Sequence, residues 1–291
     1  MIVRVPASSA NLGPGFDCFG IAWQLYNEIE FLKEGHELEI SGCPRQYCNE
    51  NNLCFAAYTA VLKHAGIQLH PLKINFLKTQ IPVSRGLGSS AALITAGVMA
   101  ANELNGLKLS KQELFSIAVS VEGHPDNIAP AIFGGFTASA MDGERAISVS
   151  FSLSSSLNFT AIIPNKQLST ELSRSVLPDT YQKSDAVFNI SHSALLIKAL
   201  ESGDSELLST ALQDKLHQSY RRKLIDGYNE AESIALSLGA CGMCISGAGP
   251  TMLCISPDMD FHLKAEEKIG LSFPQWKVIP LRPDSDGAVI L

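Results

Sequence analysis

Apolar and β-branched residues alternate or cluster at Ile2 to Val5, Tyr26 to Phe31, Leu72 to Leu77, Ile147 to Phe151 and Phe159 to Ile163, and each run predicts a strand. Between them the period lengthens. Ser89 to Leu104 is rich in Ala and Leu and stops before Gly106, which predicts a helix. Ser110 with Glu113 three residues on writes a capping box for the next one, where Leu114, Ile117, Ala118 and Val121 fall at i, i+3, i+4 and i+7 and define a buried face. In the second half, apolar stripes predict helices over Ala186 to Glu201, Ser205 to Leu216 and Arg222 to Leu238. Two strand-like runs follow, Gly242 to Ser246 and Thr251 to Ile255, around the turn Gly247-Ala248-Gly249-Pro250. Strands and helices come in blocks, not in βαβ alternation, so the fold class expected is α+β. No repeat of fixed period and no Pro- or Ser-rich linker divides the chain. Ser152 to Ser156 is the nearest thing to a seam, and it suggests two lobes, residues 1–155 and 156–291.

Composition agrees with two lobes: 291 residues, 46% hydrophobic and 18% charged, can bury one large core or two ordinary ones. The formal charge of −7 argues against nucleic acid or an anionic membrane as partner, because either needs clustered Lys and Arg. A small-molecule site fits better, and any polyanion in it must be neutralised locally by backbone N–H groups, a metal or a few arginines. Met1 to Pro6 lacks the basic segment and long apolar core of a signal peptide, and no apolar run approaches a membrane span, so a cytoplasmic location is expected. The seven cysteines sit mostly in apolar surroundings, as free thiols do in a reducing compartment. Cys241 and Cys244 form a lone CxxC flanking a strand-like run, and Cys43, Cys48 and Cys54 have no paired spacing, which is poor material for a tetrahedral zinc site.

The strongest local signal is Pro82-Val83-Ser84-Arg85-Gly86-Leu87-Gly88-Ser89-Ser90-Ala91-Ala92, a glycine-rich turn running into a helix. Glycines let backbone approach a polyphosphate, the free N–H groups of a first helical turn point at it, and the helix dipole favours its charge. Ser89 and Ser90 add hydroxyls for phosphate or metal, while Ala91 and Ala92 keep the helix close to its sheet. The plainer reading is a tight turn with a serine N-cap. It is not a Walker A loop, since no Lys follows the glycines, nor does it open a βαβ unit as a dinucleotide fingerprint would.

This loop resembles the nucleotide-binding motif of the GHMP kinase superfamily. Pro6-Ala7-Ser8-Ser9-Ala10-Asn11-Leu12-Gly13-Pro14-Gly15-Phe16-Asp17 resembles the N-terminal motif of its homoserine kinase branch. Ile245-Ser246-Gly247-Ala248-Gly249-Pro250-Thr251 is similar to the superfamily's C-terminal glycine motif. Glu122-Gly123-His124-Pro125-Asp126-Asn127-Ile128-Ala129-Pro130 is similar to a stretch that homoserine kinases carry near the acceptor hydroxyl. The resemblance runs from residue 6 to residue 251. It implies a two-lobed fold, with an N-terminal lobe related to the second domain of ribosomal protein S5 and a C-terminal ferredoxin-like lobe, and an active site between them. It implies phosphoryl transfer from ATP to the hydroxyl of L-homoserine with Mg²⁺, in threonine synthesis from aspartate. Dimers are common among such kinases, so it allows a homodimer.

By the same resemblance, Asp126 holds substrate and Asn127 orients its hydroxyl, with no strong general base. Phosphoryl transfer through a loose transition state mainly needs alignment and charge neutralisation. Asn11, Asp17, His124 and Asp126 are the polar candidates for the amino and hydroxyl ends; the plainer reading of Asn11 and Asp17, as Asx-turn residues of a Gly- and Pro-dense loop, is the weaker one. Arg174 and Arg221 are the candidates for the carboxylate. Ser219 stands where homoserine kinases often have proline, which leaves Arg221 against Arg222 open. Glu122 closes the capped helix at its C-terminus, where the dipole disfavours a carboxylate, and no Lys or Arg occurs from Ser116 to Ala131. A metal is its natural partner, so Ser90 and Glu122 are the metal candidates. His192 and His217 fall on helical stripes as capped or surface imidazoles, and Asn51 and Asn52 mark the region expected to meet the adenine. The competing readings are a superfamily kinase acting on mevalonate, shikimate or a sugar, and a catalytically dead relative. The first leaves Asp17 and Asp126 without an ammonium. The second is expected to lose Ser90, Glu122 or Asn127, all of which are present.

Overall fold

The computed structural model describes residues 1–291. Its strands are β1 (Ile2–Ala10), β2 (Phe19–Leu32), β3 (Leu38–Ser41), β4 (Leu72–Thr79), β5 (Phe136–Asp142), β6 (Arg145–Phe151), β7 (Asn158–Ile163), β8 (Gly242–Ile245), β9 (Met252–Ser256), β10 (Lys277–Leu281) and β11 (Val289–Ile290). They form two sheets. The first runs β11-β1-β2-β4-β3, with β5 pairing the start of β2 and β6 pairing β5, and every pairing except β3–β4 is antiparallel. The second runs β10-β7-β9-β8, all antiparallel. The chain passes from one sheet to the other between Phe151 and Asn158, across the Ser152 to Ser156 seam, and β11 then returns to pair with β1 in the first sheet.

The helices are α1 (Leu53–His64), α2 (Ser89–Leu104), α3 (Lys111–Glu122), α4 (Pro125–Phe133), α5 (Thr170–Ser175), α6 (Lys183–Ser202), α7 (Ser205–Ala211), α8 (Gln218–Arg221), α9 (Tyr228–Ser237) and α10 (Phe261–Ser272). The capping box of α3 forms as its residues dictate: Ser110 accepts from Glu113 N–H, and the Glu113 side chain reaches back to Ser110. Leu114, Ile117 and Ala118 are buried, whereas Val121 is half-buried against the core. Two helices differ from their apolar stripes. The stripe expected to run to Leu216 stops at Ala211, because Asp214 Oδ2 takes the N–H groups of His217 and Gln218 and bends the chain. The one expected over Arg222 to Leu238 breaks. Ile225 is extended and Gly227 has φ of 84°, a left-handed turn, so α9 begins only at Tyr228.

Strand periodicity explains how the second sheet is covered. Phe159 and Ala161 of β7, Cys244 of β8 and Leu253 and Ile255 of β9 face a core cluster of 52 buried residues shared with the first sheet, which packs the two halves together. Their neighbours Ile162, Met243, Ile245, Met252 and Cys254 face the other way, under Ala231 and Ala235 of α9 and Phe261, Ala265 and Ile269 of α10. Trp23 and Phe159 meet across the junction with ring centroids 5.1 Å apart.

Candidate active site

The site begins with a proline. Pro6 has no N–H to give the β1–β2 ladder, and the register slips between Pro6 and Ala7, from Pro6 opposite Tyr26 to Ala7 opposite Trp23. Beyond this bulge Ser8 and Ser9 project to opposite faces. Ser8 Oγ donates to Asn127 Oδ1 at 2.9 Å. Ser9 Oγ accepts from Trp23 Nε1 and lies 2.6 Å from Ser246 Oγ, which donates to Gly86 O. Segments around residues 9, 86 and 246 are thus tied at one buried hydroxyl.

The phosphate loop differs in one detail from a serine-capped turn. The N-cap of α2 is Gly88, at φ of 69°, and no side chain caps the helix. A Cβ at Gly88 would fall on Ser8 Oγ, so only glycine fits, and the first-turn N–H groups keep no side-chain acceptor. The loop borders a cleft of about 630 Å³ lined by Pro82 to Gly86, Gly88 to Ser90, Glu122 and Gly247 to Gly249. Of the remaining loop residues, Leu87, Ala91 and Ala92 are buried beneath it. Asn51 and Asn52 line the far end, where Asn52 caps α1 by accepting Cys54 N–H. Cys43, Tyr47 and Thr170 also line the cleft and carry no sequence signal that singles them out. The helical position of Thr170, at the head of α5 in the same segment as Arg174, is the nearest thing to one.

A second cavity of about 50 Å³ opens beside it, lined by Asn11, Asp17, Glu122, His124, Asp126, Asn127, Thr170, Arg174, Arg221, Gly247 and Ala248. All six residues expected to bind the acceptor are there. Glu122, Asn127, Thr170, Gly247 and Ala248 belong to both cavities, so no wall separates them. Arg221 is 2% exposed, whereas Arg222 is on the surface.

Several of these groups are held in unusual ways. Asn11 and Asp17 take left-handed backbone, φ of 72° and 55°. The Asn11 amide donates one N–H to Gly247 O at 2.8 Å and accepts Asp17 N–H at 3.0 Å, so it braces the loop that presents Asp17. The Asp17 carboxylate takes both Nη atoms of Arg174, at 2.6 and 3.1 Å. Arg221 has no carboxylate partner and donates to two carbonyls, Ser173 O and Gly247 O, each at 3.1 Å. Asp126 is buried, and its only hydrogen bond accepts Asn127 N–H. Burial, with Asp17 nearby, pushes its carboxyl up to about 7. Burial likewise raises Glu122, opposed by a 2.6 Å hydrogen bond from Ser90 Oγ, and no Lys or Arg pairs with it. His124, at the N-cap of α4, is lowered by burial and by the Arg174 charge.

His217 departs from expectation. It is neither on the surface nor on a helical stripe: it caps α8, is fully buried, and donates from Nε2 to Gly13 O at 2.8 Å. His192 stays on α6, its Nδ1 bonded to Phe188 O.

The family model described as GHMP kinases N terminal domain matches residues 52–135, and that described as GHMP kinases C terminal matches 196–266. Among known proteins, the homoserine kinase of Clostridium beijerinckii is 42% identical over 291 residues, covering 99% of this chain and 98% of that protein. Among solved structures, a homoserine kinase from Cytophaga hutchinsonii superposes with a TM-score of 0.89 at 27% identity, over 100% of this chain and 97% of that one. A putative homoserine kinase from Listeria monocytogenes gives 0.82 at 32%, over 100% and 98%. The chain is a kinase of the GHMP superfamily, with that superfamily's fold. Within it, the chain belongs to the homoserine kinase family.

Proposed function

We propose that the protein transfers the γ-phosphoryl group of ATP to the side-chain hydroxyl of L-homoserine, giving O-phospho-L-homoserine and ADP. The observation that carries this reading is the continuity of the two cavities at Glu122 and Asn127, one lined by the phosphate loop and the other by two aspartates and two arginines. The loop and the uncapped N-terminus of α2 suit a polyphosphate. Arg174 and Arg221 suit the acceptor carboxylate, and Asp17 and Asp126 its ammonium. Asn127 has its carbonyl oxygen fixed by Ser8, which leaves its N–H₂ to orient the hydroxyl. No strong base is needed at that hydroxyl.

Ser90 and Glu122 fit a Mg²⁺ ion: they are a hydroxyl and a carboxylate, both hard oxygen donors, already within hydrogen-bond distance at the phosphate end of the cleft, and the buried carboxylate has no protein cation beside it. When bound, the ion neutralises charge on the transferring phosphates. The lobes 1–155 and 156–291, a cytoplasmic setting and a homodimeric assembly belong to the same reading.

The test is a coupled ATPase assay with L-homoserine, mevalonate and shikimate as acceptors. Homoserine is expected to give the highest kcat/KM, and an equal or better value for either competitor would overturn the assignment. A carboxylate remote from the reacting oxygen is bound alike in ground and transition states, so Arg174→Ala is expected to raise KM for homoserine about tenfold or more while kcat falls less and KM for ATP stays put. Arg222→Ala, on the surface, should change neither KM, and a homoserine KM that responded to Arg222 and not to Arg221 would shift the register by one.

A further inference from the structure

Three groups that carry or border the carboxylate-binding charge converge on a ring to which the reading above gives no role. The guanidinium carbon of Arg221 lies 5.0 Å from the centroid of Phe16, and that of Arg174 lies 5.5 Å from it. The imidazole of His217 stacks on the same ring, with centroids 5.2 Å apart and planes 24° apart. We propose that Phe16 is a positioning residue for acceptor recognition, the common seat on which both arginines are held for the substrate carboxylate. The proposal rests on the assignment of Arg174 and Arg221 to that carboxylate.

Two guanidinium groups brought together to receive one carboxylate repel each other until it arrives. The repulsion registers at Arg221, whose charged form is disfavoured first by burial and then by Arg174. Arg174 has a carboxylate in contact in Asp17, whereas Arg221 hydrogen-bonds only two neutral carbonyls and is favoured by Asp17, Asp126 and Asp214 without a hydrogen bond to any of them. The negative face of an aromatic ring opposes the charge in contact with it, beyond what those carboxylates supply, and it does so without competing for the hydrogen-bonding edge of either guanidinium.

Local geometry supports the same role. Asp17 turns through left-handed backbone directly after Phe16, so consecutive residues set a ring and a carboxylate against the same Arg174. Arg174 lines the small cavity, and its Nε is buried with no hydrogen-bond acceptor, an unsatisfied donor on that side chain. His217 donates its Nε2 proton to Gly13 O and burial favours its neutral form, so it supports the ring without adding a third positive charge.

Phe16→Leu keeps the bulk of the side chain and removes the ring face. Two cation–π contacts of ordinary strength correspond to a rise of about five- to thirtyfold in KM for homoserine, with kcat changed less than about threefold and KM for ATP unmoved. Phe16→Tyr, which keeps the ring, should restore a KM near that of the parent. In an Arg174→Ala background the Phe16→Leu penalty should shrink, since one of the two charges it seats is gone. An unchanged homoserine KM in Phe16→Leu overturns the proposal, as does a rise in both KM values together with a loss of thermal stability, or a Tyr variant as poor as Leu. If Arg174→Ala also leaves homoserine KM unmoved, the carboxylate assignment itself has failed and the seat falls with it. A response to Arg174 without one to Phe16 rejects the seat alone.

Discussion

Glu122→Gln is expected to lower kcat by two or more orders of magnitude and to shift the Mg²⁺ dependence upward, while the ligand-free protein stays as stable as before or gains slightly. Glutamine keeps the size and the oxygen that accepts from Ser90 Oγ and removes only the charge. That charge is poorly placed for a protein without a ligand. It ends α3, where the helix dipole costs a carboxylate about 0.3 to 1 kcal/mol, and burial raises its carboxyl above the ordinary value. A carboxyl whose folded pKa is raised binds protons more tightly in the folded state, so its contribution to stability falls as pH rises from the unfolded value through the folded one. Glutamine removes this dependence, which is why the stability change should be zero or favourable above that window. Activity titrated against Mg²⁺, beside thermal melts of the free protein, checks both halves. Near-normal kcat at ordinary Mg²⁺ would remove Glu122 from the site, and a large loss of thermal stability would make it a structural residue.

Asp126→Asn should show the same opposition between activity and stability more strongly. Asparagine retains the oxygen that accepts Asn127 N–H and loses the charge that faces the substrate ammonium. Leaving that ammonium unpaired in a dry pocket costs about 2 to 5 kcal/mol in kcat/KM for homoserine. The parent carboxyl titrates at about 7, raised from 3.8 by burial first and by Asp17 second. Between those two values the folded state holds a proton that the unfolded chain has lost, so rising pH destabilises the parent across this window and not the variant. At pH 8 the variant is expected to be more stable by about 1 to 3 kcal/mol, less than the full shift because the new N–H₂ has no partner, with the gap closing as pH falls towards 4. In the parent, kcat/KM for homoserine should fall below pH 7 as Asp126 takes up its proton. Equal melting temperatures at pH 8, or a pH profile flat down to pH 5, would contradict the assignment.

What could be read in advance followed the strength of the local code. The Gly88-Ser89 junction and the capping box at Ser110 and Glu113 are short-range chemistry, and α2 and α3 start where those residues put them. The breaks after Ala211 and at Gly227 were hidden, because each depends on a side chain finding its partner: Asp214 takes successive N–H groups, and Phe273 and Trp276 lie where a Cβ on Gly227 would go. β11 is two residues long and exists only because β1 has a free edge beside it. The candidate residues were found as motifs, but their couplings were not. Nothing in the order of letters says that Asp17 clasps Arg174, or that the imidazole of His217 reaches Phe16 from 201 positions away in a fully buried place.

The hydroxyl knot at Ser246 bears on how the molecule assembles. Its contacts to Ser9 and to Gly86 join stretches separated by 237 and 160 positions, among the longest chain closures in the fold. Loops of that span carry an entropic cost that grows slowly with length but must be met before any contact returns it, so distant pairings form late. Refolding from denaturant should therefore recover helical signal first and nucleotide affinity last. On the way down the same order reverses, and the glycine loops should lose their protection from hydrogen exchange before either sheet does.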